Sequence, residues 1–122
     1  WRAETRASSQ PMIQPVLSNS LSKFLKAKKD GSKGLYTEIF VMDNKGLNVG
    51  QSDVSSDYWQ GDEAKWKKTY AVGATAVHIS DVEKDESTQS FQSQLSLPVV
   101  DPANNQVIGA ITLGINVERL AH

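Results

Sequence analysis

The sequence predicts an α+β domain: a five-stranded antiparallel sheet with a long N-terminal helix on one face and short helices and loops over the other. Three observations predict it. An apolar stripe of helical period opens the chain, two short strand-forming runs follow, and three longer ones close it. Between the two groups of strands lies "SSDYWQGDEAKWKKTY", residues 55–70, a row of helix formers and aromatic rings.

The first helix spans about residues 12–29. Ile13, Leu17, Leu21 and Leu25 recur at every fourth position, and Phe24 joins their stripe. Pro15 occupies the first turn or kinks the helix there. "KKDGSKG", residues 28–34, ends it with two glycines and an aspartate. The next run, "YTEIFVMDNKGLNVGQS" at 36–52, reads as a hairpin. Ile39, Phe40 and Val41 are strand formers, "DNKG" is a turn, and "LNVGQS" is the return strand.

In the insert, Ser56 or Asp57 caps a short first turn and Gly61 breaks it. Asp62 then caps a second helix from about Glu63 to Tyr70. "AVGAT" is a loop. Three strands follow: "AVHISDVEK" (76–84), "SFQSQLSLPVV" (90–100) and "VIGAITLGINV" (107–117), joined by turns at "DEST" and "DPANNQ". Pairing Val99 with Val107 sets Leu95 against Ile111 and Leu97 against Gly109 on one face. The other face then carries Gln94 beside Thr112 and Ser96 beside Ala110. The first face is an aliphatic floor for the N-terminal helix. The second is small and polar in mid-strand.

A length of 122 residues argues for one domain, 1–122, with the sheet and insert at about 36–118. Residues 1–34 carry seven Lys/Arg against two acids, and residues 35–122 carry six against twelve. The cluster Lys23, Lys26, Lys28, Lys29 and Lys33 lacks interleaved aromatics, so it reads as a solvated helix end and not as a nucleic-acid surface. The absence of cysteine excludes disulfides, thiolate metal sites and a cysteine nucleophile. No apolar run reaches the roughly 18 residues of a membrane span. The chain starts at Trp1, as a trimmed product would, so membrane attachment is expected only through segments outside it. His78 and His122 lie far apart and no spaced carboxylate pair stands out, so neither catalysis, a metal nor a cofactor is expected. Asp81, Glu83, Asp85 and Glu86 lack the glycine and ligand order of a calcium loop and read as solvated charge.

"EIFVMDNKGLNVGQS" resembles the first hairpin of the single Cache sensor domains, a PAS-like extracytoplasmic family. "LSLPVVDPANNQVIGAITLGINVERL" resembles their last hairpin, and a long helix before the sheet is also similar. The resemblance covers about residues 12–120. It implies a PAS-like five-stranded sheet with a ligand pocket between the sheet and the insert. It implies a periplasmic or extracellular, bacterial-type sensor of a small metabolite, of the chemoreceptor or sensor-kinase kind, with a homodimer contact through the N-terminal helix. A free periplasmic binding protein of the same fold is the alternative, and a small enzyme or a structural module in the same shell is a third. The mid-strand positions offer amides and hydroxyls but no arginine, so a short monocarboxylate or a neutral molecule fits better than a di- or tricarboxylate.

The expected site follows from that layout. Tyr58, Trp59 and Trp66 form an aromatic lid. Gln94, Ser96 and Thr112 form its polar floor, since such groups are costly to bury without partners. His78 donates to a carboxylate if it faces the pocket, and Lys67 reaches over the edge as the missing cation. Each has a plain structural alternative: the rings as a core face, the floor residues bonded to one another, the histidine and lysine as ordinary strand and surface residues.

Overall fold

The N-terminal apolar stripe folds as two helices, α1 (Ile13–Ser18) and α2 (Ser20–Asp30), not one. In the computed structural model, which describes residues 1, 3, 11–53, 59–70, 72, 73, 75–85 and 90–120, the break falls at Asn19. Its backbone is extended, with φ −71° and ψ 165°, and its side chain accepts from the Ser22 N–H at 2.8 Å. This is N-capping chemistry: a short amide side chain satisfies a donor that the helix itself leaves free. Pro15 sits in the first turn of α1, where its missing N–H costs nothing.

The expected first hairpin is β1 (Tyr36–Met42) and β2 (Asn48–Gln51). Asp43 closes its turn, its carboxylate accepting from the N–H of Lys45 at 2.8 Å and of Leu47 at 3.0 Å. The insert contributes α3 (Ala64–Lys67), which starts one residue later than expected, with Glu63 and not Asp62 before its first helical residue. Ser56 and Asp57, the expected caps of the preceding turn, lie outside the described residues.

The sheet has six strand segments. After β3 (His78–Ile79) come β4 (Glu83–Asp85), β5 (Ser90–Asp101), β6 (Gln106–Asn116) and a last turn of helix, α4 (Val117–Leu120). The order is β2-β1-β6-β5-β3, and β4 pairs farther along the same edge of β5. The expected strand 76–84 is thus one edge strand in two pieces. Ser80 interrupts it: its hydroxyl, in place of a backbone carbonyl, accepts from the Gln94 N–H at 2.8 Å. The following residues, Asp81 and Val82, leave the ladder.

The register of the last hairpin differs from the expected one by two residues. Leu97 pairs with Ile111, Ser96 with Thr112 and Val99 with Gly109. Half of the offset is already present beside the turn, where Val100 and not Val99 pairs with Val107; a bulge between Val99 and Val100, which no side-chain pattern announces, adds the other residue. Because side chains alternate with period two, a shift of two leaves every residue on its expected face.

On one face, Ile39, Leu113, Leu95 and Ile79 form a cross-strand row. α2 covers only its β1–β2 end, where Leu25 and Ile39 are buried and Ser22 accepts from the Gln51 N–H at 2.8 Å. On the other face, Phe40, Thr112, Ser96 and His78 form a row, and α3 lies over β5 and β6. Phe40, Met42 and Ala110 make the buried core there, with Trp66 and Tyr70 packed on it. Among the described residues, no helix is long and apolar enough to cross a membrane.

Candidate functional site

The insert-side face opens into a cleft of about 380 Å³ at its β3–β5 end. The insert supplies Glu63 and Lys65, β3 supplies His78, and the break after it supplies Ser80 and Asp81. Glu83 comes from β4, and Gln92 and Gln94 come from β5. Every lining side chain is polar. Most small-molecule pockets are largely apolar with a few polar groups, so a lining of this composition offers hydrogen bonds and charge and little apolar contact.

The charge is lopsided. Glu63, Asp81 and Glu83 face one fixed cation, Lys65. None of the three carboxylates is paired or hydrogen-bonded among the described residues. The Lys65 ammonium lies 5.3 Å from the centre of the Phe40 ring, where a cation–π contact holds it. Ser80 is tied to the backbone, accepting from Gln94 and donating to the Asp81 carbonyl at 3.2 Å.

The two glutamines are positioned from behind. Gln94 donates its side-chain N–H to Glu38 at 3.1 Å, and Gln92 accepts from the Thr37 hydroxyl at 2.9 Å. Thr37 and Glu38 are on β1, separated from β5 by β6. Two features allow the crossing. A bulge between Tyr36 and Glu38 inserts Thr37 as an extra residue, and the residue of β6 between Glu38 and Gln94 is Gly114. A Cβ at Gly114 would meet the Thr37 hydroxyl at 2.4 Å and the Glu38 Cγ at 3.0 Å.

The expected site residues divide. His78 and Gln94 line the cleft. Ser96 and Thr112 share the cross-strand row of His78 but lie outside the lining, fully buried, and their hydroxyls bond each other at 2.8 Å. Lys67 is exposed outside the lining, and Tyr58 lies outside the described residues.

The structure does not place Trp59 and Trp66 as the cleft's lid; both are tied to the β1–β2 turn. Trp59 donates its indole N–H to the Lys45 carbonyl at 2.8 Å and is half exposed. Trp66 donates to the Asp43 carbonyl at 3.0 Å and stacks on Tyr70 with ring centres 5.1 Å apart. Between them Gln60 donates its N–H to the Gly46 carbonyl at 2.6 Å. An indole N–H that leaves water needs an acceptor, and a turn offers carbonyls that no ladder has claimed. That requirement was the available signal.

Sequence reasoning missed Glu63, Lys65, Ser80, Asp81, Glu83 and Gln92. Alternation carried part of the signal, since His78 and Ser80, and Gln92 and Gln94, are polar pairs two residues apart on strands. Among the described residues, no group of three or more His, Asp or Glu is placed to hold a metal ion.

No protein-family model and no curated protein matches the chain. Solved structures do. The ligand-binding domain of the Pseudomonas aeruginosa PAO1 amino acid chemoreceptor PctC, in complex with GABA, superposes with a TM-score of 0.62 at 15% identity. That match covers 98% of this chain and 49% of that one. The ligand-binding domain of Campylobacter jejuni chemoreceptor Tlp3 with L-valine gives 0.61 at 13% identity, over 89% and 44%. The sensor domain of the V. cholerae histidine kinase DctB gives 0.55 at 11%, over 79% and 36%. The chain spans less than half the length of each of these domains. Its PAS-like α+β fold is similar to that of these histidine-kinase and chemoreceptor sensor domains, the fold that the resemblance of its two hairpins implied.

Proposed function

We propose that this chain is an extracytoplasmic sensor module that binds a small metabolite bearing a protonated amine, of the amino-acid type. The observation that carries the reading is the cleft: three carboxylates, Glu63, Asp81 and Glu83, unpaired among the described residues, around a polar floor where those residues supply one fixed cation. A ligand ammonium is attracted by that excess of negative charge. A ligand carboxylate has Lys65 and His78 to meet. The expected short carboxylate becomes one end of the ligand and not its defining group. The similar domains of PctC and Tlp3 were solved with GABA and L-valine, each carrying both groups.

Binding, and not turnover, suits these residues. Ser80, the one hydroxyl in the lining among the described residues, is bonded to backbone and not to His78. Ligand contact with Glu63 and Lys65 bears on α3, which Trp66 ties to the first hairpin. That is a route by which occupancy biases the sheet, provided the two states differ in ligand affinity. The helix pair remains the proposed dimer contact, and Phe24 and Leu21 stand exposed on α2 for it.

Calorimetric titration with γ-aminobutyrate, valine and isoleucine, each beside its deaminated acid, tests the reading. An amine-bearing member is expected to bind while its deaminated acid gives no heat. Equal binding of the acids overturns the ammonium assignment. No binding by any amino acid or by the matching amines overturns the sensing role.

A further inference from the structure

We infer that Glu38, which does not line the cleft, determines its selectivity by fixing which end of the Gln94 amide the ligand meets. The inference rests on the amine-binding reading above and goes one layer deeper. An amide side chain presents either a carbonyl acceptor or an NH₂ donor, and nothing in its shape decides which. Here the partner decides. An ionised carboxylate only accepts, so the atom of Gln94 that lies 3.1 Å from Glu38 Oε1 is its nitrogen. The Gln94 side-chain oxygen, Oε1, takes no hydrogen bond among the described residues and belongs to a side chain that lines the cleft. The floor therefore offers an acceptor beside the three carboxylates, suited to an N–H donor and unsuited to a carboxylate.

The arrangement is built into the sheet. Glu38, Gly114 and Gln94 are register partners across three adjacent strands, so their side chains share one face. The central glycine removes the side chain that would separate the outer two. Glu38 is thus a positioning residue, acting through Gln94.

Propylamine and butyrate, which are γ-aminobutyrate without its carboxylate and without its amine, probe the two polarities. In the wild type, propylamine is expected to bind more tightly than butyrate. Glu38→Gln frees the Gln94 amide to turn over and is expected to lower the propylamine-to-butyrate affinity ratio about tenfold, the scale of one hydrogen bond to a charged group. The loss of a carboxylate near the cleft would also weaken amine binding, and the Gln94→Ala background separates the two causes. If Glu38 acts through Gln94, adding Glu38→Gln to Gln94→Ala leaves the ratio unchanged. If the full effect persists there, Glu38 acts by charge alone and the inference is overturned.

A ligand-free readout stands beside this. The Gln94 side-chain N–H resonance, assigned by its loss in Gln94→Ala, is expected downfield in the wild type and shifted upfield in Glu38→Gln. An unmoved resonance overturns the inference even if Glu38→Gln proves too unstable to titrate and Glu38→Asp is used in its place. Failure of wild-type protein to bind either probe or γ-aminobutyrate removes the amine-binding reading itself, and this inference with it.

Discussion

Glu38 and Gln94 share a hydrogen bond of 3.1 Å across a strand to which neither belongs. The contact exists because β6 presents Gly114 at the crossing point. Gly114→Ala is expected to separate Glu38 from Gln94 and Thr37 from Gln92 while leaving the backbone conformation accessible, since the glycine is not in the left-handed region. The cost is about 1–3 kcal/mol, the range for over-packing a tight site. Chemical denaturation measures it, and amine affinity is expected to fall in the same variant.

Ser96 and Thr112 show how a polar pair is carried inside a sheet. Each satisfies the other, and both are fully buried. Ser96→Ala alone leaves the Thr112 hydroxyl without a partner, at about 1–3 kcal/mol. Ser96→Ala with Thr112→Val is expected to cost clearly less than the two single changes added together. Urea unfolding of the four proteins in this cycle measures the coupling, and additivity would contradict the pairing.

The insert is held to the first hairpin by hydrogen bonds to the carbonyls of its turn. Trp66→Phe keeps most of the ring contact and loses the bond to Asp43, at about 1 kcal/mol. Trp66→Ala also exposes Phe40 and Met42 and is expected to cost about 3 kcal/mol, the low end for a tryptophan because the ring is only half buried. Trp59→Phe, at a more exposed ring, is expected to cost less than Trp66→Phe. Melting temperatures that rank the other way would contradict the clamp.

Gly46 and Gly61 meet backbone to backbone in that clamp. Gly46 has φ +82°, and a Cβ on it would lie 2.5 Å from the backbone of Gly61. Gly46→Ala therefore meets both left-handed strain, about 1–2 kcal/mol, and a clash with the insert. Hydrogen exchange is expected to rise across residues 59–70 in that variant more than in β5 and β6.

Much of the fold was legible because local chemistry and pattern agreed. The "DNKG" turn, the β-branched runs and the two strand groups each point to the same sheet. What was not legible has physical causes. The Asn19 break depends on a side chain choosing to cap and not to continue a helix, although "SNS" in mid-stripe hinted at it. The two-residue register offset comes half from the pairing set at the turn, Val100 with Val107, and half from a bulge. The cleft was half legible. His78 and Gln94 follow from strand alternation, but Asp81 reaches the rim only because Ser80 breaks the edge strand. The tryptophans were expected as a lid from their rings alone; their N–H groups bond carbonyls that the turn supplies, which the ring pattern does not encode.

Among the described residues, Lys65 is the one fixed positive charge in the cleft lining. Lys65→Met keeps a side chain over Phe40 and removes that charge. At roughly 1 kcal/mol for like charges about 4 Å apart in water, propylamine affinity is expected to rise roughly fivefold. Butyrate affinity is expected to fall. Calorimetry at low salt reads both, and the gain is expected to shrink as added salt screens the charges.

The most direct test of the account is one titration series. Propylamine is titrated into wild-type protein and into Glu63→Gln/Asp81→Asn/Glu83→Gln, which keeps the cleft's shape and removes its three negative charges. The account predicts measurable binding to the wild type, at least tenfold weaker binding to the neutralised cleft, and unchanged melting temperature between them. Equal affinity in the two proteins, or butyrate binding the wild type more tightly than propylamine, would contradict it.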